Sequence, residues 1–234
     1  MPAMLNQEMK SQRATILAID IDGSHIKMKR SHAEEELRKD SGPDFNPTST
    51  LTAIKRLAQD KHFDMVSVGY PGPVVHNRIL AEPHNLGTGW VKFNFEKALS
   101  KPVKIVNDAL MQAVGSYKGG RMLFLGLGTD LGAAMVVVNV AQPMELAHLP
   151  YKKGKTFEDY AGERGLQKDG KKKWRKHIFE IIEHLSAALE LDSIVIGGGN
   201  VTKLDHMPPK CSAGSNANAF TGGFAIWENK DLII

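Results

Sequence analysis

Hydrophobic and polar positions switch between a period of two and a period near 3.6 along this chain, and each switch predicts an element. Residues 14–21 (ATILAIDI) are an almost unbroken apolar run, a buried strand ending in a turn, and residues 25–30 return as the second strand of a hairpin. Loop chemistry follows at Ser41-Gly-Pro-Asp-Phe-Asn-Pro47, after which Leu51, Ile54, Leu57 and Ala58 give residues 48–60 helical spacing. A strand over 65–69 closes on Tyr70-Pro-Gly-Pro73, whose prolines cannot donate to a ladder. Glu82-Pro-His-Asn-Leu-Gly-Thr-Gly-Trp90 is a polar and aromatic loop too rich in glycine for helix.

The second half alternates in the same way. A strand over 101–106 runs into a helix over 109–117, which Gly119 and Gly120 end. Residues 122–127 and 132–140 form a hairpin, and 171–191 a long helix with Trp174, Ile178, Ile181, Ile182 and Leu185 on one face. A core strand at 193–196 and a closing helix at 217–228 complete the order, while residues 1–13 read as a frayed tail. There is no repeat of solenoid length and no low-complexity segment. The alternation of strand and helix predicts an α/β fold.

At 234 residues the chain can bury a proper core without staples. Its single cysteine, Cys211, can form neither an internal bridge nor a cysteine-based zinc site, which points to a reducing, cytoplasmic setting. No apolar run approaches the roughly 20 residues a membrane span needs, and no signal-peptide core is present. The net charge of +4 is mild, but residues 152–176 hold ten Lys or Arg against four Asp or Glu. That region is either a solvated face or a field for a polyanion such as polyphosphate or a nucleotide. No DNA-reading motif flanks it.

Chemistry concentrates where strands break off. In Asp20-Ile-Asp-Gly-Ser24, backbone N–H groups at Gly23 and the Ser24 hydroxyl could meet a phosphate while Asp20 holds a hydrated Mg²⁺; a ligand-free hairpin turn would look the same. Gly126-Leu-Gly-Thr129 repeats the logic, with Gly128 permitting close approach and Thr129 offering a hydroxyl. Gly197-Gly-Gly-Asn200 is a third such turn, or a helix entry. Between the first two, Val106-Asn-Asp108 places a carboxylate at a strand-to-helix corner. Asp108 there is either an N-cap or a general base, and a helix start is expected to keep it ionised. Glu145 and His148, three positions apart, could converge on sugar hydroxyls but make a poor metal site.

Taken together, these segments resemble, in order and spacing from about residue 14 to 227, the ROK (repressor, open reading frame, kinase) sugar kinases. Within that family, Phe157-Glu-Asp-Tyr-Ala-Gly162 and Gly170-Lys-Lys-Lys-Trp-Arg-Lys-His177 are similar to segments of polyphosphate glucokinases. The resemblance implies an actin-like ATPase (ribonuclease H-like) fold with two lobes around a central cleft, a small lobe over 14–107 and a larger one over 108–234. The last helix is expected to pack back on the first lobe. It implies Asp108 as catalytic base, with Asn85, Asn107, Glu145, His148 and Glu158 holding a hexose, glucose first. Phosphate contacts are implied for Gly23, Ser24, Gly128, Thr129 and Gly198, and Asp20 is placed near Mg²⁺. Lys172, Lys173 and Arg175 would line the path of a long phosphate donor, either polyphosphate or ATP. A homodimer is implied; zinc is not, because the cysteine-rich motif of many ROK kinases is absent.

Two departures bear on catalysis. Asp22 stands where the family's first loop usually has Gly, and Asp130 where the second does. Two unit charges about 4 Å apart at an effective dielectric near 20 repel by about 4 kcal/mol, so an inward-facing aspartate could abolish donor binding. Backbone strain is a further expectation, since Asp tolerates positive φ less well than Gly. Both side chains are expected to point to solvent or to share a cation with Asp20, with reduced or metal-dependent activity. The rival reading is a catalytically silent member that senses sugar or polyanion. A ROK-type repressor is disfavoured, because about a dozen residues before the first strand are too few for a helix-turn-helix domain.

Overall fold

Two five-stranded sheets of identical strand order organise the chain. The computed structural model describes residues 13–59 and 61–234; the expected tail up to residue 12, and position 60 at the end of the first expected helix, lie outside them. In chain order the first half is β1 (Ile16–Ile21), β2 (His25–Arg30), β3 (Glu36–Asp40), α1 (Pro47–Leu57), β4 (Met65–Tyr70), the small hairpin β5 (Val74–Val75) and β6 (Arg78–Ile79), α2 (Phe95–Leu99) and β7 (Val103–Asn107). The second half is α3 (Asp108–Ser116), β8 (Arg121–Leu127), β9 (Leu131–Val137), β10 (Val140–Met144), α4 (Glu158–Ala161), α5 (Glu163–Leu189), β11 (Ser193–Gly197), β12 (Cys211–Ala213) and α6 (Asn218–Glu228).

The first sheet runs β3-β2-β1-β4-β7 and the second β10-β9-β8-β11-β12. In each, the first three strands in sequence are antiparallel neighbours, and the remaining two are added parallel to the first. Every residue of β1 is buried, because helices cover both faces of the sheet. Leu17, Ile19 and Ile21 enter a core with Ala53 and Ile54 of α1 and with Trp90. The alternate residue Ala18 faces α6, and Asp20 lies on that same face by the period of two. In the second sheet Leu123, Leu125 and Ile194 pack on Trp174, Ile178 and Ile181 of α5, while Met122, Phe124 and Val195 pack on α3 and α6.

The two helices between the sheets exchange partners. α3 follows β7 of the first sheet yet packs on β8, β9 and β10, whereas α6 follows β12 of the second and packs on β1 and β4. Ser67 of β4 donates its hydroxyl to the Gly223 carbonyl at 2.5 Å. The helices touch through bare backbone: a Cβ on Gly115 would lie 1.9 Å from the Asn218 carbonyl oxygen, and one on Gly222 1.8 Å from that of Met111.

Most elements fall within a few residues of their sequence expectation, and the departures have identifiable causes. α5 runs from Glu163, but Gly170, at φ 71 and ψ 159, breaks its helical backbone, so the long helix with the apolar stripe starts just past the kink, at the expected 171, and a shorter helical piece precedes it. β3 was missed because ELRKD is a charged, exposed edge strand with no apolar alternation. β10, β12, α2 and α4 are too short for a period to register.

Candidate active site

The corner between β7 and α3 is built by Asn107. Its Oδ1 accepts the Leu110 N–H at 3.1 Å as the helix cap, and its Nδ2 donates to the Gly72 carbonyl at 3.2 Å. One bond at each end of the amide thus holds the corner against the Pro-Gly-Pro turn, and a second Nδ2 hydrogen and a second Oδ1 lone pair are left for a ligand. Asp108 follows as the first helical residue, half-buried, with Oδ1 accepting the Ala109 N–H at 2.8 Å. Burial, and then repulsion from Asp20, push its carboxyl up to about 7 against the pull of that N–H. The expectation that a helix start keeps it ionised is thereby overturned. A helix N-terminus contributes about 0.3–1 kcal/mol to an anion, while the effective cost of burying a charge is several kcal/mol.

Asp20 lies deeper still, 4% exposed, and its counter-charge is Lys27 Nζ at 3.7 Å. Burial lifts its carboxyl to about 6, with Lys27 opposing and Asp22 adding to the rise. Asp22 closes the same loop on itself. Its Oδ1 accepts from Ser24 N at 2.8 Å, Ser24 Oγ at 2.8 Å and His25 N at 2.6 Å, and its Oδ2 from Lys27 Nζ at 2.8 Å. Burial works against its charge, but the bonds from Lys27 and Ser24 outweigh that and hold the carboxyl below its usual range. Asp22 thus shares a cation with Asp20, and that cation is Lys27. Ser24, expected to meet a phosphate, directs both its donors at Asp22. The expected strain is absent, since neither Asp22 nor Asp130 is among the residues with positive φ.

Asn85 meets this loop from the far side of the first sheet's core. A Cβ on Gly23 would come within 3.1 Å of the Asn85 Cβ. The segment carrying Asn85 is pinned by Glu82, whose Oε2 accepts the N–H groups of Gly89 and Trp90, each at 3.0 Å, and by buried Trp90, whose Nε1 donates to the Gly87 carbonyl at 2.6 Å. Asn85 Nδ2 then donates to Asp130 Oδ2 at 3.3 Å, reaching the hairpin of the second sheet. Glu158, at the start of α4, accepts the Leu131 N–H at 3.0 Å and stands beside the Asp130 carboxylate. Burial, countered by Leu131 and reinforced by Asp130, pushes Glu158 up to about 7. Asp130 is exposed, one of the two expected outcomes, yet its carboxylate adjoins two residues expected to hold the sugar.

The remaining loops are tied by a residue that sequence reasoning missed. Asn200, 6% exposed, donates its N–H to the Leu127 carbonyl at 2.9 Å and its Nδ2 to Gly128 O at 3.2 Å and Glu163 Oε2 at 2.8 Å. The Thr129 carbonyl accepts the Glu163 N–H at 3.1 Å. Gly198, at φ +84, lies so close to β8 that a Cβ would fall 2.4 Å from the Leu127 carbonyl oxygen. Asn200 was visible as the end of a glycine cluster, but its bonds span residues far apart in sequence.

Other expected residues make ion pairs of their own. Glu145 and His148 are exposed and pair with each other at 3.7 Å, with no hydrogen bond to Asp108, Asn85 or Glu158. On α5, Arg175 is committed to Lys203 O at 2.6 Å and Asp205 at 2.7 Å, and Lys173 to Asp169 at 2.7 Å, because oppositely charged or carbonyl groups lie within their reach. Lys172, like Lys173, is exposed. Trp174 is buried as expected and donates to Ala161 O at 2.8 Å.

Two like charges at Asp20 and Asp108, both raised toward neutrality, make a position that a cation would stabilise. Among the described residues no three His, Cys, Asp or Glu side chains form a metal-holding group. A Mg²⁺ ion here would have Asp20, and Asp108 beside it, as the protein carboxylates to hold it.

Paired sheets of one order, exchanged central helices and a carboxylate between two glycine hairpins define the actin-like ATPase fold, two lobes around a cleft. Among solved structures it is the fold of the ROK-family sugar kinases. The inorganic polyphosphate/ATP-glucomannokinase from Arthrobacter sp. strain KM is similar with a TM-score of 0.77 at 20% identity, over 89% of this chain and 96% of that one. A ROK family glucokinase from Streptomyces griseus, in complex with glucose and AMPPNP, gives 0.72 at 14% identity over 89% and 97%. A ROK family transcriptional regulator, homologous to the E. coli MLC protein, gives 0.70 at 14% over 91% of this chain and 77% of that one. No protein-family model and no curated protein sequence matches this chain. Among the described residues no helix is long and apolar enough to cross a membrane.

Proposed function

We propose that this chain is a sugar kinase that moves a terminal phosphoryl group from polyphosphate or ATP to the 6-hydroxyl of glucose. The observation that carries the reading is the Asp108 carboxyl, half-open at the β7–α3 corner and poised at about 7 beside the first glycine loop. In this reading residues 14–107 form the smaller lobe and 108–234 the larger, and the cleft between them takes both substrates. The sugar hydroxyl attacks the terminal phosphorus, the bond from phosphorus to the donor's bridging oxygen breaks, and Asp108 accepts the hydroxyl proton. Phosphoryl transfer passes through a loose transition state, so the base mainly orients the nucleophile and takes the proton late. Mg²⁺ near Asp20 would neutralise charge developing on the donor phosphates.

Asn85 and Glu158 are the leading candidate hexose contacts, and their shared neighbour Asp130 supports the pairing. Glu145 and His148, exposed and paired with each other, and Asn107 at the β7–α3 corner complete the set of candidate sugar contacts. Gly128, Thr129 and Gly198 cradle the donor in the second lobe, and Lys172, Lys173 and Arg175 on α5 are the candidate contacts for a long polyphosphate. The likeness to a polyphosphate/ATP-glucomannokinase supports the donor pair.

A second reading, a sugar- or polyanion-sensing protein without turnover, is favoured by the Asp22 carboxylate already bonded to the first loop's donors. A coupled assay of glucose 6-phosphate formation with each donor, alongside Asp108→Ala, decides. Turnover abolished in the variant supports the kinase. Glucose binding without turnover from either donor supports the sensor.

A further inference from the structure

We infer that Asp22 is an internal occupant of the first loop's anion seat, a positioning residue whose carboxylate a donor phosphate must displace before it can bind there. The inference rests on the phosphotransfer reading for its purpose, but not for its test.

A hairpin loop binds an anion by turning successive N–H groups and a hydroxyl toward one point. Here the three donors that do so, Ser24 N, Ser24 Oγ and His25 N, converge on a single atom, Asp22 Oδ1, at 2.6–2.8 Å. The fourth partner completes the likeness to a bound anion, since Lys27 Nζ reaches Oδ2 at 2.8 Å while standing 3.7 Å from Asp20. The carboxylate thus takes both the hydrogen bonds and the counter-charge that a phosphate oxygen would need. Short charge-assisted bonds of this kind are the stronger class.

The arrangement is not forced by the backbone. Asp22 has no positive φ, so the residue is not strained and a glycine there would relieve nothing. The hairpin itself is closed independently by Asp22 N donating to His25 O at 2.9 Å and by Ser41 Oγ donating to Asp22 O at 3.0 Å, both through the main chain of residue 22. Removing the side chain therefore empties the seat while the turn keeps its backbone closure.

Two properties of the side chain can be separated. Its charge repels a phosphate, and its short reach fills the seat. Asp22→Asn retains the reach without the charge, Asp22→Glu retains the charge but moves the carboxylate one methylene outward, and Asp22→Gly removes both. Inorganic tripolyphosphate is the probe, titrated calorimetrically into the full chain and each variant, with circular dichroism to establish folding.

The expected result is that Asp22→Gly binds tripolyphosphate at least about tenfold more tightly than the parent, the scale of one charge-assisted contact released. Asp22→Glu is expected to bind more tightly than the parent although its charge is unchanged. The inference is overturned if Asp22→Glu matches the parent while Asp22→Asn matches Asp22→Gly, for then charge alone matters, or if folded Asp22→Gly binds no better than the parent. If Asp22→Gly fails to fold, the Asn and Glu pair still decides. Tighter binding with no glucose phosphorylation in any protein would sink the kinase reading and leave this inference standing. Turnover with the same donor KM in parent and Asp22→Gly would do the reverse.

Discussion

Asn85 and Asp130, 45 positions apart, meet at 3.3 Å, and their contact joins a loop on the first sheet to the hairpin of the second. Asp130 also stands beside Glu158, so one carboxylate adjoins both residues. Replacing Asn85 with Ala is expected to raise the KM for hexose by about tenfold or more, a loss of about 1.4 kcal/mol, with kcat changed less. Steady-state kinetics at varied glucose check it; an unchanged KM removes Asn85 from the sugar site.

The Asp130–Glu158 pair also makes stability depend on pH. Glu158 is raised from 4.5 to about 7 in the folded chain, so the folded state binds more protons than the unfolded state between those values. Stability from this group is then present below about 4.5 and lost as pH rises toward 7. Asp130→Gly removes the like charge and should flatten that slope, seen as a smaller fall in melting temperature between pH 5 and pH 8. An unaltered slope would show that the pair is not coupled.

Asp108 gives two opposed effects. As a base with a carboxyl near 7, it should make kcat rise with pH through that region and level off above it. Asp108→Asn should lower kcat by about 10²- to 10⁴-fold, the usual contribution of such a group. The same substitution removes a buried charge whose folded pKa is raised from 3.8, so it should increase thermal stability at pH 8 and leave it nearly unchanged at pH 3. A variant that is both inactive and less stable at pH 8 would mean that Asp108 is structural.

Asn200 and the crossing of α3 with α6 are tests of architecture. Asn200→Ala leaves Glu163 and Gly128 without their shared donor, at a cost of about 1–3 kcal/mol, and should raise donor KM more than glucose KM. Gly222→Ala must push α6 off the Met111 carbonyl, since its Cβ would sit 1.8 Å from that oxygen. Overpacking of this kind costs about 1–3 kcal/mol, or several degrees in melting temperature. A melting curve identical to the parent would show that the helices can separate freely.

The strands and the main helices were legible because each writes its period locally. ATILAIDI reads as a buried strand and is buried throughout from Ile16 to Ile21, and the stripe from Trp174 to Leu185 faces the second core as its spacing requires. The glycine loops and Asp108 were legible for the same reason, as abrupt ends of apolar runs. Glu145 and His148 were equally visible in sequence, and they pair with each other as their spacing of three allows. Spacing along a chain says which side chains share a face, and not which cleft that face borders.

Local order along the chain was thus enough for the element types, the α/β class and the candidate turns, because hydrogen bonding and side-chain periodicity act over a few residues. Folding alone decided the rest. The repeated sheet order left no repeat in the sequence, since many sequences satisfy one pattern of burial. That Asp22 turns back on Ser24, that Asn85 reaches Asp130, and that Asp108 is lifted toward neutrality depend on which charges and surfaces are brought together from distant positions. Electrostatic energy is set by distance and burial in three dimensions, and neither exists until the two sheets close around their shared helices.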